Sequence, residues 1–153
     1  MYVAVIGGQQ AGEEEERTAY EVGKGLAEAG AYLVCGGLGG IMQAACRGAR
    51  EAGGLTIGIL PGPFRGDANP YVDVVIATDM GQARNAIIVR TADSVIAIGG
   101  EYGTLTEMAM ALKMGKRVVA VDSWRIERGG RFDERIIYAK DAQEALRLTL
   151  EET

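Results

Sequence analysis

In the stretch Ile98-Gly99-Gly100-Glu101-Tyr102-Gly103-Thr104-Leu105-Thr106-Glu107, glycines, a hydroxyl and a carboxylate link an apolar run to a helical one. The spacing reads as a phosphate site. Gly99, Gly100 and Gly103 let the chain turn tightly and bring its backbone against a ligand, while the first free N–H groups of the following helix point at whatever sits there. Thr104 adds a hydroxyl donor, and Glu107, one turn further along the same helix face, leans back over the ligand's neutral end. A carboxylate beside a bound phosphate suggests chemistry.

Two further glycine turns close apolar runs: Gly7-Gly8 after the first, and Gly36-Gly37-Leu38-Gly39-Gly40 after the second. One double glycine is weak evidence, because a tight strand-to-helix turn often needs glycine for backbone reasons alone. Three that converge on one sheet edge are stronger. None of the three matches the Walker-type GxxxxGK[ST] pattern, and GGQQAG is not the dinucleotide GxGxxG, so the expected ligand is a mononucleotide or another compact phosphate ester. Arg84 and Asn85 precede the motif strand, where they could face the same edge. The planar, always charged fork of Arg84 suits a phosphate or a carboxylate such as Glu107. A structural ion pair or a solvated arginine for Arg84, and a first-turn acid stabilised by the helix dipole for Glu107, are the alternatives on spacing alone.

The elements that must position these residues follow from the apolar pattern. Runs at 2–6, 31–35, 55–60, 72–77, 93–98 and 117–122 are short, rich in Val, Ile and Leu, and nearly continuous, as strands buried on both faces are. Between them, 13–29, 40–52, 79–91 and 103–114 have the length of crossover helices, and 141–151 starts at an Asp cap and carries one apolar face, Ala142, Ala145, Leu146 and Leu150. The alternation predicts a single α/β domain over 1–153, with a mostly parallel sheet of about six to seven strands and helices on both faces. Met108, Met110 and Met114 lie on a helix apolar nearly all round and are expected in the core or at a subunit interface. Pro61–Tyr71, which holds all three prolines, is either a rim or lid over the site or an ordinary stiffened connection. Ser123–Asp133, with Arg125, Arg128 and Arg131, reads as a solvated charged loop, with contact to a phosphate or an acidic partner as the alternative.

Composition narrows the classes further. A chain of 153 residues, 48% hydrophobic, can bury a genuine core. The formal charge of −5 argues against a nucleic-acid or acidic-membrane partner, and no apolar run is long enough to span a bilayer; a cytoplasmic protein is expected. There is no histidine, which excludes Ser-His-Asp and Cys-His catalysis and removes the commonest metal ligand, so no metal or cofactor is expected. Cys35 and Cys46 stand outside any CxxC motif and are expected as buried, reduced thiols.

At Cys35-Gly36-Gly37-Leu38-Gly39-Gly40-Ile41-Met42 and at Gly99 to Glu107, preceded by Arg84, the chain resembles the LOG superfamily. That group includes cytokinin-activating phosphoribohydrolases, proteins labelled "possible lysine decarboxylase", and molybdenum-cofactor carrier proteins. The likeness runs from Val3 to about Val121, and its most specific marker is the PGGxGTxxE motif. It implies a Rossmann-like fold, a homodimer or higher homo-oligomer, and a nucleotide-like phosphate ligand held by Gly7, Gly8, Gly36, Gly37, Gly39, Gly40, Asn85, Gly99, Gly100, Glu101, Gly103 and Thr104. In the family's hydrolases an arginine and the motif glutamate are the catalytic pair, matching Arg84 and Glu107. Ile98 stands where the motif has proline, and Asn85 where the hydrolases have lysine, which brings the chain closer to the carrier-like branch. The decarboxylase label fails on chemistry: Lys24, Lys113, Lys116 and Lys140 all fall on predicted helices or their ends, away from the glycine edge where a Schiff-base lysine would be needed.

Overall fold

The computed structural model describes residues 1–151. Seven strands form one parallel sheet in the order β4-β3-β2-β1-β5-β6-β9. They are β1 (Tyr2–Gly7), β2 (Tyr32–Cys35), β3 (Thr56–Leu60), β4 (Val74–Ala77), β5 (Ser94–Ile98), β6 (Arg117–Val121) and β9 (Ile136–Tyr138). Five α-helices connect or flank them: α1 (Glu13–Glu28), α2 (Ile41–Glu51), α3 (Arg84–Thr91), α4 (Tyr102–Lys113) and α5 (Ala142–Leu150). The chain runs outward from β1 to β4, then returns to lay β5 on β1's other side, pairing Val3 with Ser94 and Gly7 with Ile98. That reversal between β1 and β5 is the place where open α/β sheets leave a crevice at their carboxyl ends.

The period of two divides each central strand between two cores. Val3 and Val5 of β1 and Ile96 and Ile98 of β5 pack toward α1, α2 and α5, whereas Ala4, Ile6, Val95 and Ala97 pack toward α3 and α4. Each fully buried Ile or Leu in these layers contributes roughly 1.5–3 kcal/mol. Helices α1 and α2 touch main chain to main chain, with Gly23 against Ala45 and Gly48 against Tyr20, which sets how deeply the start of α2 sits over β1. Asp141 caps α5 as expected, its Oδ1 accepting the Glu144 N–H at 2.8 Å. Ala142 and Ala145 are buried, and Leu146 and Leu150 pack against the same core from half-buried positions.

Three expectations shift. The helix read over 79–91 is α-helical only from Arg84: Asp79 and Gly81 take positive φ values of 52° and 59°, and 81–83 form a 3₁₀ turn that delivers Arg84 as the first α residue. The charged loop 123–133 contains a short antiparallel hairpin, β7 (Glu127–Arg128) and β8 (Arg131–Phe132), turned by Gly129-Gly130. Strand β9 is three residues long, too short to show a period. The expected burial on both faces also fails at β4, an edge strand whose Val74 and Ile76 are 42% and 46% exposed.

Candidate functional site

All three glycine turns meet at the carboxyl edge. A Cβ on Gly7 would lie 2.6 Å from the Ile98 carbonyl oxygen and equally close to Ile41 Cγ2, so the end of β1 is wedged between the end of β5 and the start of α2. The Ile41 N–H donates to the Gly8 carbonyl at 3.0 Å, locking the second turn onto the first. Gly100 holds φ at 100°, and a side chain there would collide with Thr104; this is the backbone that lets α4 begin immediately after β5. No side-chain cap takes the first N–H groups of α4. An anion placed there would be favoured by the helix dipole.

A cavity of about 830 Å³ opens over this edge, lined by Gly7, Gly8, Gly36, Gly39, Gly103, Thr104, Arg84, Asn85, Glu101 and Glu107 among others. Gly37 and Gly40 sit behind the wall, packed against Leu60 and Gly58 and against Gly8 and Gln9 respectively. Gly99 and Gly100 line a neighbouring cavity of about 810 Å³ with Glu15, Asp122, Trp124 and Arg125, and Glu101 borders both. The end of β6 clamps this divide: the Ser123 hydroxyl donates to the Gly99 carbonyl at 2.6 Å, and Trp124 Nε1 donates to the Glu101 carbonyl at 3.0 Å.

Arg84 is 7% exposed and heavily tied. Its Nε donates to the Ile59 carbonyl at 2.9 Å, Nη2 to the Gly36 carbonyl at 3.4 Å, and Nη1 to Asn85 Oδ1; Asn85 Nδ2 in turn donates to Gln82 Oε1. The fork therefore braces the ends of β2 and β3 from within the cleft wall. Burial pulls its pKa down, opposed by the charge of Glu107. Glu107 is 8% exposed, forms no ion pair or hydrogen bond within the described residues, and has no oxygen sealed from the cavity without a partner. Desolvation pushes its pKa up to about 7, with Arg84 pulling the other way. A carboxylate held near neutrality, open to a cleft and free of partners, can accept a proton or stabilise a nearby cation.

The lining also includes Gln9, Gln10, Leu38, Met42 and Gln82, which the sequence reading did not select. Gln9-Gln10 follows Gly7-Gly8 directly, so the first turn carried that signal; Met42 and Gln82 carried none. Asn69, from the proline-rich segment, was also missed. Its N–H donates to the Gly37 carbonyl and its Nδ2 to the Leu38 carbonyl, both at 2.9 Å, so that segment is bound to the second glycine turn rather than hanging over it as a lid. Among the described residues no cluster of His, Cys, Asp or Glu could hold a metal ion, and no helix is long and apolar enough to cross a membrane.

The parallel sheet, the reversal between β1 and β5, and a carboxylate-bearing cleft over glycine turns define a Rossmann-like domain with a crevice at the carboxyl edge of its sheet. The chain belongs to the SLOG cluster4 family, whose model matches residues 1–151, and so to the LOG superfamily. An uncharacterised protein of Archaeoglobus fulgidus is 50% identical over 121 residues, 79% of this chain and 80% of its own. The cytokinin riboside 5′-monophosphate phosphoribohydrolase of Mycobacterium tuberculosis is 36% identical over 125 residues; these are 75% of this chain and 64% of the relative. Among solved structures, the molybdenum cofactor binding protein of Rippkaea orientalis superposes with a TM-score of 0.87 at 34% identity, covering 96% of this chain and 93% of its own.

Proposed function

We propose that the cleft binds a nucleoside 5′-monophosphate or similar phosphate ester and hydrolyses its N-glycosidic bond. The observation that carries this reading is Glu107: a nearly buried, unpaired carboxylate, half ionised near neutral pH, one turn along a helix whose uncapped N-terminus faces the same cavity. The ester's phosphate sits on the N–H groups at the start of α4 and on the Thr104 hydroxyl. Breakage of the bond between C1′ and the base nitrogen leaves positive charge on the ribose and sends the bonding pair to the base, which takes up a proton from solvent and leaves neutral. Glu107 stabilises that charge and takes a proton from the water that attacks C1′. Arg84 supplies positive potential and, with Asn85, holds the wall. The phosphoribohydrolase relative supports this activity.

A carrier that holds its ligand uncleaved is the second reading. Asn85 beside Arg84, and the likeness to a molybdenum cofactor binding protein, favour it. Incubation with a panel of nucleoside 5′-monophosphates, followed by chromatography for free base, separates the two. Release by the native protein and its loss in Glu107→Gln supports hydrolysis; no release from any nucleotide, with a ligand retained through purification, supports the carrier. The exposed Val74 and Ile76 on β4 offer an apolar face to the homodimer expected from the resemblance, which light scattering would weigh.

A further inference from the structure

Directly behind the cleft wall lies chemistry that ligand binding does not use. Cys35 ends β2 and Cys46 lies on the inner face of α2; both are free and fully buried, and their sulfurs are 3.4 Å apart. The Cys35 sulfur also accepts the Gly37 N–H at 3.3 Å, so the thiol pair helps to hold the turn that contributes Gly36 and Gly39 to the cavity. We propose that Cys35 and Cys46 are a site of reversible oxidative modification, in which a small peroxide converts them to an intramolecular disulfide that loosens the Gly36–Gly40 turn.

The geometry brings the reactants together. The hydrogen bond shared with Cys46, aided by the Gly37 N–H, holds Cys35 below the ordinary thiol value against the opposing effect of burial, whereas the same bond and burial push Cys46 up. The Cys35 thiolate attacks a peroxide oxygen; the O–O bond breaks, hydroxide leaves, takes up a proton and departs as water, and Cys35 becomes a sulfenic acid. The Cys46 thiol then attacks that sulfur, loses its proton and expels a second water as the S–S bond forms. One peroxide is reduced and two thiols are oxidised. Both thiols are sealed from the cavity, so a peroxide reaches Cys35 on local opening of the Gly36 edge of the cleft, over which the Met42 thioether packs.

A disulfide needs its sulfurs about 2.05 Å apart. Closure therefore draws the two sulfurs together by more than an ångström and takes the Cys35 sulfur from the Gly37 N–H. Asn69, which adjoins Cys46 and binds the Gly37 and Leu38 carbonyls, carries the shift into the same turn. In a reducing compartment such a bond is transient, as expected of a sensor rather than a staple.

The test uses hydrogen peroxide on the purified native chain, with thiols counted by alkylation under denaturing conditions and intact mass, and with hydrogen exchange followed over residues 36–45. Reduced protein should take two alkyl groups, and peroxide-treated protein none, with the chain still single on a non-reducing gel. Exchange over 36–45 should rise several-fold and return with dithiothreitol, while Cys46→Ala, or Cys35→Ser should Cys46→Ala fold poorly, shows no such rise. Persistent alkylation, a bond between chains, or a disulfide with unchanged exchange would overturn the proposal. No ligand enters these readouts, so they stand apart from the outcome of the nucleotide assay.

Discussion

Arg84 and Glu107 face one cavity from successive helices on the same side of the sheet, yet they form no ion pair. Arg84 spends its donors on the Ile59 and Gly36 carbonyls and on Asn85, so its charge reaches Glu107 only through space. The carboxylate is left poised rather than neutralised.

That poise has a pH signature. Glu107 has its pKa raised from 4.5 to about 7 by burial. Between those values the folded chain holds a proton that the unfolded chain has released, so stability falls as pH rises through this window and the cost is complete above about 7. Glu107→Gln removes the cost. Thermal melts should show the variant gaining on the native protein from pH 5 to pH 8, by on the order of 2–3 kcal/mol; a constant difference across the range would contradict it.

If Glu107 takes the proton of the attacking water, base release should climb about tenfold per pH unit below about 7 and level above it. Glu107→Gln should lower turnover by roughly 10²–10⁴-fold with little change in nucleotide affinity. Steady-state kinetics paired with calorimetric binding would separate the two effects.

Arg84→Lys should behave as a structural as well as an electrostatic change. An ammonium cannot span the carbonyls of Ile59 and Gly36 and the amide of Asn85 together. The orphaned carbonyls should cost about 1–3 kcal/mol in denaturant unfolding, and weaker phosphate binding should accompany the loss.

Gly100→Ala tests the turn itself. With φ at 100° and Thr104 in the way, a methyl group forces the start of α4 to move. A loss of about 1–3 kcal/mol is expected, together with weakened binding of inorganic phosphate, read by titration calorimetry.

Asn69→Ala should release the proline-rich segment from the second glycine turn, removing the side-chain bond to Leu38 and the Asn69 Oδ1 acceptor for Tyr71. Faster hydrogen exchange over 61–71 and a loss of about 1–3 kcal/mol are the expected results.

Much of this was legible in the residues. The βα alternation, the three glycine turns and the reach of Glu107 over the cleft follow from period and spacing, which are local properties. What spacing cannot express is an interaction between distant backbone atoms and a side chain. Arg84 read as a partner for a phosphate or a carboxylate because its actual partners are carbonyls on β3 and in the turn after β2, and Asn69 drew no reading because its side-chain acceptor, Leu38, lies 31 residues away in sequence. The late start of α3 and the strand β9 were hidden for another reason: each involves only a few residues, too few for a period to stand out.

A wall made largely of main chain has an evolutionary consequence. Peptide groups at Gly7, Gly8, Gly36, Gly39 and Gly103 present the same donors and acceptors whatever the rest of the sequence does, so the pocket's outline is inherited with the fold. Chemical identity is concentrated in a few replaceable side chains, among them Gln9, Met42, Asn85, Glu101 and Glu107. A lineage can thus exchange one reaction for another, or for none, by drifting at a handful of positions while its architecture stands still.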